Sequence, residues 1–123
     1  MTMGSSAFDA LEGKSLSWLL GVVADAMLLF DGAGRVVLAN PPAQRLFGYN
    51  CEEISGLTVE DLIPLRFRDT HRAKRAEYAK RPARRMAGTG LDIYGFTKAG
   101  REFDADISLS PVGNGLVLAG FAT

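Results

Sequence analysis

Apolar residues recur at helical spacing near the start of the chain, between residues 6 and 24. On such a helix Leu11, Trp18 and Val22 share one stripe, and Leu19 lies beside it. This apolar surface is wide enough to contact more than one partner. We therefore predict a flanking helix that forms a homodimer through Leu11, Trp18, Leu19 and Val22.

Two short strands joined by a turn are predicted next. The continuous apolar run Ala26–Phe30 is typical of a buried strand, and Arg35–Ala39 returns as its partner. Between them, Asp31–Gly34 contains glycines that are free to adopt a positive φ. Asn40 then provides an N-cap, and Pro41 follows at the first helical position, where its missing N–H costs nothing.

Short helices in the middle of the chain are indicated by the residues that begin them. Asn50 with Glu53, and Thr58 with Asp61, have the spacing of a capping box, in which each side chain bonds the other residue's backbone N–H. A longer helix is predicted over about Arg66–Lys80, because a proline two residues later ends it.

The last third of the chain has the pattern of strands. Residues 91–97 and 116–121 are predicted strands, and residues 98–101 and 113–115 are predicted turns. Between the two turns, apolar and polar residues alternate, as in an antiparallel strand with one buried face. The buried face of that strand carries Phe103, Ala105, Ile107 and Leu109.

These elements predict an α+β fold with a single five-stranded antiparallel sheet and short helices on one face. A chain of 123 residues can form one core, and we assign it to residues 15–123 after an N-terminal tail of residues 1–14. Cys51 is the only cysteine, and no apolar run reaches the roughly 18 residues of a membrane span. We therefore expect a reducing, cytoplasmic location and no membrane segment.

Charge is unevenly distributed, although the chain has no net charge. Residues 66–85 contain nine cations and two acids, a net charge of +7, so the remainder carries −7. Stacking aromatics and a recognition-helix signature do not accompany these cations, so we expect no nucleic-acid binding. We expect a solvated helix, or one that docks on an acidic partner surface.

Four short motifs, in order, resemble those of PAS sensory domains. They are the D-x-x-G turn at Asp31–Gly34, the A-N-P helix start at Ala39–Pro41, the F-G-Y element at Phe47–Tyr49, and a K-D-G-x-x-F turn at Lys98–Phe103 in which Ala99 replaces the aspartate. The resemblance implies strand order 2-1-5-4-3. It also implies a sensor that dimerises and controls an output domain in the same polypeptide, such as a histidine kinase, a cyclic-dinucleotide enzyme or a transcription regulator.

His71 is the only histidine, and it is separated from Phe67 and Tyr78 by four and seven residues. On a continuous helix the three residues share a face, and an inward face would bring the imidazole to a ligand cavity. The alternative is a polar histidine on a partly exposed helix, as is common in PAS domains without haem.

The sequence around His71 is also similar in spacing to rhizobial haem oxygen-sensor kinases. That resemblance implies His71 as the axial haem ligand, with Ile107 and Leu109 as apolar distal residues. Leu91 stands where those proteins have the arginine that bonds oxygen, so we do not expect oxygen discrimination. Cys51 is displaced from the reactive cysteine of flavin-binding light sensors, and non-covalent FAD is the less favoured cofactor.

No catalytic activity is expected, because capping and helix dipoles account for the adjacent acids Glu52–Glu53 and Glu60–Asp61. We predict a small-molecule cavity between the helix of His71 and the inner face of the sheet. Its predicted lining is Phe67, His71, Tyr78, Met86, Leu91, Ile93, Phe103, Ile107 and Leu109. The competing hypothesis is a ligand-free dimerisation module with a filled core.

Overall fold

A computed structural model describes residues 25–83 and 92–122, which form one antiparallel sheet with helical segments packed on its inner face. The strand order is β2-β1-β5-β4-β3, and every neighbouring pair is antiparallel. This confirms the predicted fold class and order. The strands are β1 (Ala26–Phe30), β2 (Val36–Ala39), β3 (Asp92–Phe96), β4 (Glu102–Gly113) and β5 (Leu116–Ala122).

Helical segments occupy most of the chain between β2 and β3. They are α1 (Pro41–Phe47), α2 (Cys51–Ile54), two 3₁₀ helices (Val59–Leu62 and Leu65–Phe67) and α3 (Arg68–Lys80). The long helix therefore begins at Arg68 and not at Arg66 as predicted. The reason is that Phe67 N–H bonds the carbonyl of Pro64 at 3.0 Å, which closes a 3₁₀ turn ahead of the α-helix.

The turn between β1 and β2 and the start of α1 form as the sequence predicts. Asp31 Oδ1 accepts two backbone N–H bonds of 2.9 Å within the turn, and Gly34 has a φ of 82°. Asn40 Oδ1 accepts from Ala43 N at 3.0 Å, as an N-cap, and from Met27 N at 2.8 Å. One buried amide side chain therefore joins α1 to β1.

The core lies between the inner face of the sheet and the helical layer. Phe47 is its centre: its ring lies 5.4 Å from that of Phe103 and 5.5 Å from that of Phe121. Gly95 faces Phe103 across β3 and β4, and a Cβ at position 95 would come within 2.1 Å of that ring. The predicted inner face of β4 is confirmed, because Phe103, Ala105, Ile107 and Leu109 all contribute to this core.

The hairpin between β4 and β5 closes at Asn114 and Gly115, whose φ values are 55° and 74°. Two successive positive φ values are typical of a type I′ turn. Strand β4 extends beyond the predicted alternation and reaches Gly113, with Pro111 opposite Val117 near an irregularity in the pairing. The hairpin end therefore lies level with the β1–β2 turn, because Val117 of β5 pairs with Phe30 at the end of β1.

Candidate functional site

Glu60 is buried, with 2% of its side chain exposed, and three hydrogen bonds converge on its carboxylate. Arg75 donates from Nε at 2.9 Å and from a terminal guanidinium nitrogen at 3.1 Å. His71 Nδ1 lies 2.8 Å from Oε2 and must be the donor, because an ionised carboxylate only accepts. We call Glu60, His71 and Arg75 the Glu60 cluster. It ties α3 to the 3₁₀ helix Val59–Leu62.

The local backbone explains why Glu60 and not its neighbour points inward. Thr58 N–H donates to Asp61 Oδ2 at 2.9 Å, so Asp61 serves the start of the 3₁₀ helix. Val59 N–H bonds the carbonyl of Gly34 at 2.8 Å, which holds this segment against the β1–β2 turn. Asp61 is therefore occupied by the N-cap of the 3₁₀ helix, whereas the side chain of Glu60 faces α3 and bonds Arg75.

Arg75 also contacts the β1–β2 turn. A Cβ at position 34 would come within 2.6 Å of the guanidinium carbon, so Gly34 provides the space that this side chain occupies. A third guanidinium nitrogen lies 3.4 Å from the carbonyl of Gly32, a long and weak contact. Arg75 therefore connects α3 to two other parts of the fold, the first 3₁₀ helix and the β1–β2 turn.

Two opposing effects set the pKa of Glu60. Burial raises the pKa, because it disfavours the charged form, whereas the hydrogen bonds and charge of Arg75, and then His71, lower it. The net direction is downward. The carboxylate is therefore ionised at neutral pH, and its charge is compensated by Arg75.

Outside the Glu60 cluster, α3 has few contacts with the rest of the described fold, and one of them is Arg68 Nε, which donates to the carbonyl of Ile63 at 3.0 Å. None of its 13 residues is buried. Two of its cations pair with acids of the same helix, Arg72 with Asp69 and Lys80 with Glu77. Because these exposed pairs lie within α3, they do not attach the helix to the rest of the fold. The apolar contact of α3 with the core is made by Tyr78, which is partly buried against the core cluster.

A cavity of about 260 Å³ lies between the last two turns of α3, the β1–β2 turn and the β4–β5 hairpin. Its walls are largely apolar, and Arg75, Asp31 and Gly32 also line it. The apolar walls come mainly from Phe30, Tyr78, Pro111, Leu116 and Val117.

The structure disperses the residues that were predicted to line one cavity. Tyr78 lines the cavity at the end of α3, whereas His71 bonds Glu60. Phe103, Ile107 and Leu109 belong to the packed core. Ile93 lies in β3 opposite Ala105, and Met86 and Leu91 fall outside the described residues, as do the dimer residues Leu11, Trp18, Leu19 and Val22.

Phe67 does not line the cavity at the end of α3 that Tyr78 lines. Its ring stacks on Tyr94 with centroids 5.5 Å apart and planes 12° apart. Tyr94 pairs with Asp104, on the sheet face opposite Phe103. The predicted spacing of four residues assumed one continuous α-helix, whereas Phe67 belongs to the 3₁₀ helix that precedes α3.

The sequence interpretation missed the role of Glu60, which was assigned to capping and helix dipoles. Its partners are 11 and 15 residues away, and local spacing could not identify them. The available signal was that Thr58 needs only Asp61 as its capping partner, which leaves Glu60 unexplained. Among residues 25–83 and 92–122, the side chains form no metal-binding group of three or more His, Cys, Asp or Glu.

A family model described as PAS domain matches residues 24–122. The sensor protein FixL of Bradyrhizobium diazoefficiens is 29% identical over 97 residues, which cover 79% of this chain and 19% of that protein. The chain therefore spans about a fifth of the length of that relative. In the described part of the chain, no helix has the length and apolar character needed to cross a membrane.

Solved structures show the same fold. A domain of a sensory box sensor histidine kinase/response regulator from Geobacter sulfurreducens has a TM-score of 0.71 and 18% identity, covering 99% of this chain and all of that one. A Rhodobacter sphaeroides LOV protein has a TM-score of 0.76 and 21% identity, covering 90% of this chain and 66% of the other. At these identities the similarity concerns the fold alone.

Proposed function

Because the chain belongs to the PAS domain family, we propose that it is the sensory input domain of a longer signalling protein and that its signal is a change in the packing of α3. In this proposal the domain binds and transmits, and it catalyses no reaction. Relatives that are sensor proteins and sensor kinases support an output domain in the same polypeptide.

The observation that carries the proposal is the way α3 is held. The helix buries no residue, and within the described residues it is held mainly by the Glu60 cluster, by Tyr78 and, at its first residue, by Arg68, which bonds the carbonyl of Ile63. Segments with few buried apolar contacts open at low free energy. The sheet, by contrast, is paired along all five strands and packed on Phe47. A ligand that prefers one position of α3 would therefore shift its population while the sheet stays fixed.

To transmit the signal from α3 to an output domain, the domain must contact a partner, which we propose is a second copy of the chain. We assign the dimer contact to Leu11, Trp18, Leu19 and Val22. The segment that carries these apolar residues precedes β1 in the sequence. A change in the packing of α3 would alter the geometry of the dimer and so of the output domains.

The competing hypothesis is a ligand-free dimerisation module. It is supported by the dense packing of Phe47, Phe103 and Phe121 on the inner face. Native mass spectrometry of the chain purified from its own host separates the two hypotheses. A sensory domain is expected to carry a non-covalent small molecule, whereas peaks at only the mass of the 13.2 kDa chain and its dimer would contradict ligand sensing.

Haem is a second candidate, favoured by one observation: His71 Nδ1 donates to Glu60. Histidines that ligate metals typically donate their other ring N–H to such a carboxylate, which orients the ring and leaves Nε2 for the metal. His71 is therefore the residue that would hold the haem iron, and the iron would supply gas or redox sensitivity. The packing of Ile107 and Leu109 in the core does not show the space that a haem needs.

Titration with hemin tests this candidate. A Soret band that shifts on binding and is lost in His71→Ala would support haem, and a spectrum identical to that of free hemin would exclude it. FAD has no comparable support among the described residues, where Cys51 is an exposed residue at the start of α2.

A further inference from the structure

The outer face of the sheet, away from the helical layer, is apolar along its first strands. Side chains alternate between the two faces of a strand, and three residues of β1 belong to the core on the inner face: Ala26, Leu28 and Phe30. Met27 and Leu29 therefore lie on the outer face. The register places Leu38 of β2 and Leu118 of β5 beside Leu29. We call Met27, Leu29, Leu38 and Leu118 the outer apolar patch.

Leu29 is fully buried, with 0% of its surface exposed, although it does not belong to the core cluster. Neighbouring side chains of a sheet shield the sides of a leucine, but full burial also requires a segment that covers its end. The strand sequences agree with this requirement. Strands β1 and β5 contain no polar side chain, which is typical of strands that are covered on both faces.

We propose that the flanking segment, residues 15–24, docks as a helix on the outer apolar patch of its own chain. Its long axis would follow β1, with β2 and β5 on either side. This inference goes beyond the proposed sensory function and does not depend on the binding of a ligand.

The predicted flanking helix has a second apolar stripe besides the one assigned to the dimer. With about 100° between successive residues, Leu16, Leu20 and Val23 lie within about 60° of one another on the helix surface. The dimer stripe around Trp18 and Val22 is centred about 150° away. One flat surface cannot cover both stripes. The helix therefore has one apolar stripe for the sheet and another for a second copy.

The point at which this segment joins the sheet is fixed by Asn40. Its Nδ2 donates to the carbonyl of Asp25 at 2.7 Å, and its Oδ1 accepts from Met27 N–H at 2.8 Å. A helix of residues 15–24 is about 15 Å long, and the five residues of β1 span about 17 Å. A reversal of the chain at Asp25 would therefore lay the helix along the whole of β1.

The rest of the outer face is unsuited to an apolar helix. Glu102 and Asp104 of β4 are exposed there, since they alternate with the inward Phe103 and Ala105. The outer apolar patch is therefore confined to the side of the sheet where β1 lies. A segment joined to β1 through Asp25 is present at a high effective concentration, which favours docking within one chain over docking by a second copy.

Cysteine labelling of the full chain tests the docking. Cys51 is first replaced by serine, because it is exposed and would react. One cysteine is then introduced, either by Leu29→Cys in the patch or by Asp104→Cys on the acidic part of the same face. We expect the thiol at position 29 to react with a soluble disulfide reagent on the order of 100-fold more slowly, because the reagent reaches it only when the helix opens. Met27→Cys is the second probe of the patch if Leu29→Cys does not fold.

Two substitutions in the flanking segment identify the cover. Leu20→Glu places a charge in the docking stripe and is expected to speed labelling at position 29 at least about tenfold, because a buried unpaired charge disfavours docking. Ser17→Glu is the matched control, since it adds the same charge on the polar side of the predicted helix and should leave the rate unchanged. Glutamate is a good helix former, so neither variant is expected to disrupt the helix itself.

Trp18→Glu distinguishes cover by the same chain from cover by a second copy. This substitution lies in the dimer stripe, so labelling at position 29 should stay slow and should not depend on protein concentration. Equal labelling at positions 29 and 104, equal effects of Leu20→Glu and Ser17→Glu, or protection that is lost on dilution or in Trp18→Glu would each overturn the docking. None of these results bears on ligand sensing, which is tested separately by the mass of the chain from its own host.

Discussion

Replacing Glu60 by glutamine removes the charge at the centre of the Glu60 cluster with little change in size. Arg75, whose side chain is 16% exposed, then loses its counter-charge, and one of its donors faces an amide N–H₂. Loss of one partner from a buried ion pair costs about 3–5 kcal/mol. Because Arg75 and the 27%-exposed His71 retain some contact with water, we expect about 2–4 kcal/mol for Glu60→Gln.

Urea unfolding at pH 7, followed by circular dichroism, measures this loss. Against a total stability of roughly 5–15 kcal/mol, it is a large fraction, and it corresponds to a fall in Tm of roughly 8–16 °C for a chain of this length. Glu77→Gln is the matched control, since Glu77 is also paired to a cation but is 77% exposed. We expect that variant to lie within about 0.5 kcal/mol of the wild type.

The pH dependence has a defined sign. The folded-state pKa of Glu60 is lowered, so its contribution to stability is fully present above the unfolded value of about 4.3. It is lost as the pH falls through the lower folded pKa. The stability difference between wild type and Glu60→Gln should therefore be constant above about pH 5 and shrink in more acidic solution. A difference below about 0.5 kcal/mol at pH 7, or one that grows towards acid, would refute the assigned role of Glu60.

Three further substitutions test other parts of the fold. Gly95→Ala should destabilise the domain by about 1–3 kcal/mol, because the new Cβ overlaps the ring of Phe103. Phe67→Ala should cost about 1 kcal/mol through loss of the stack on Tyr94, measured in the same urea assay. Trp18→Glu should shift the chain from dimer to monomer in sedimentation velocity, since it places a charge in the predicted apolar stripe.

Each of these substitutions has a control. Gly32→Ala meets no atom within 4 Å and should be nearly neutral. Leu65→Ala removes a side chain that is 76% exposed and should cost less than Phe67→Ala. Lys14→Glu also adds negative charge to the flanking segment and should leave the dimer intact. If a control variant and its test variant change stability or dimerisation equally, the contact assigned to the test residue does not cause the change.

Local signals predicted most of the fold. Asn40 and Asn50 cap their helices as expected, and Gly48 ends α1 in the left-handed conformation. The alternation from Phe103 to Leu109 identified the inner face of β4. These features depend on residues within a few positions of one another, so the sequence alone specifies them.

The candidate site could not be predicted to the same extent, because its contacts join distant parts of the chain. Glu60 meets Arg75 only when the 3₁₀ helix, α3 and the β1–β2 turn are assembled. Phe67 was predicted from the spacing of a continuous α-helix, whereas it ends a 3₁₀ helix and stacks on Tyr94. The cavity is formed by two turns and a helix end, and the motif that contains its lining residues Asp31 and Gly32 predicts a turn and not a cavity.

Hydrogen exchange, measured peptide by peptide, tests most directly whether α3 is the mobile element. Amides of residues 68–80 should exchange on the order of 100-fold faster than those of β5, because α3 opens locally while the sheet exchanges only on global unfolding. Equal protection of α3 and β5 would show that helix and sheet open as one unit, and would contradict a signal carried by movement of α3.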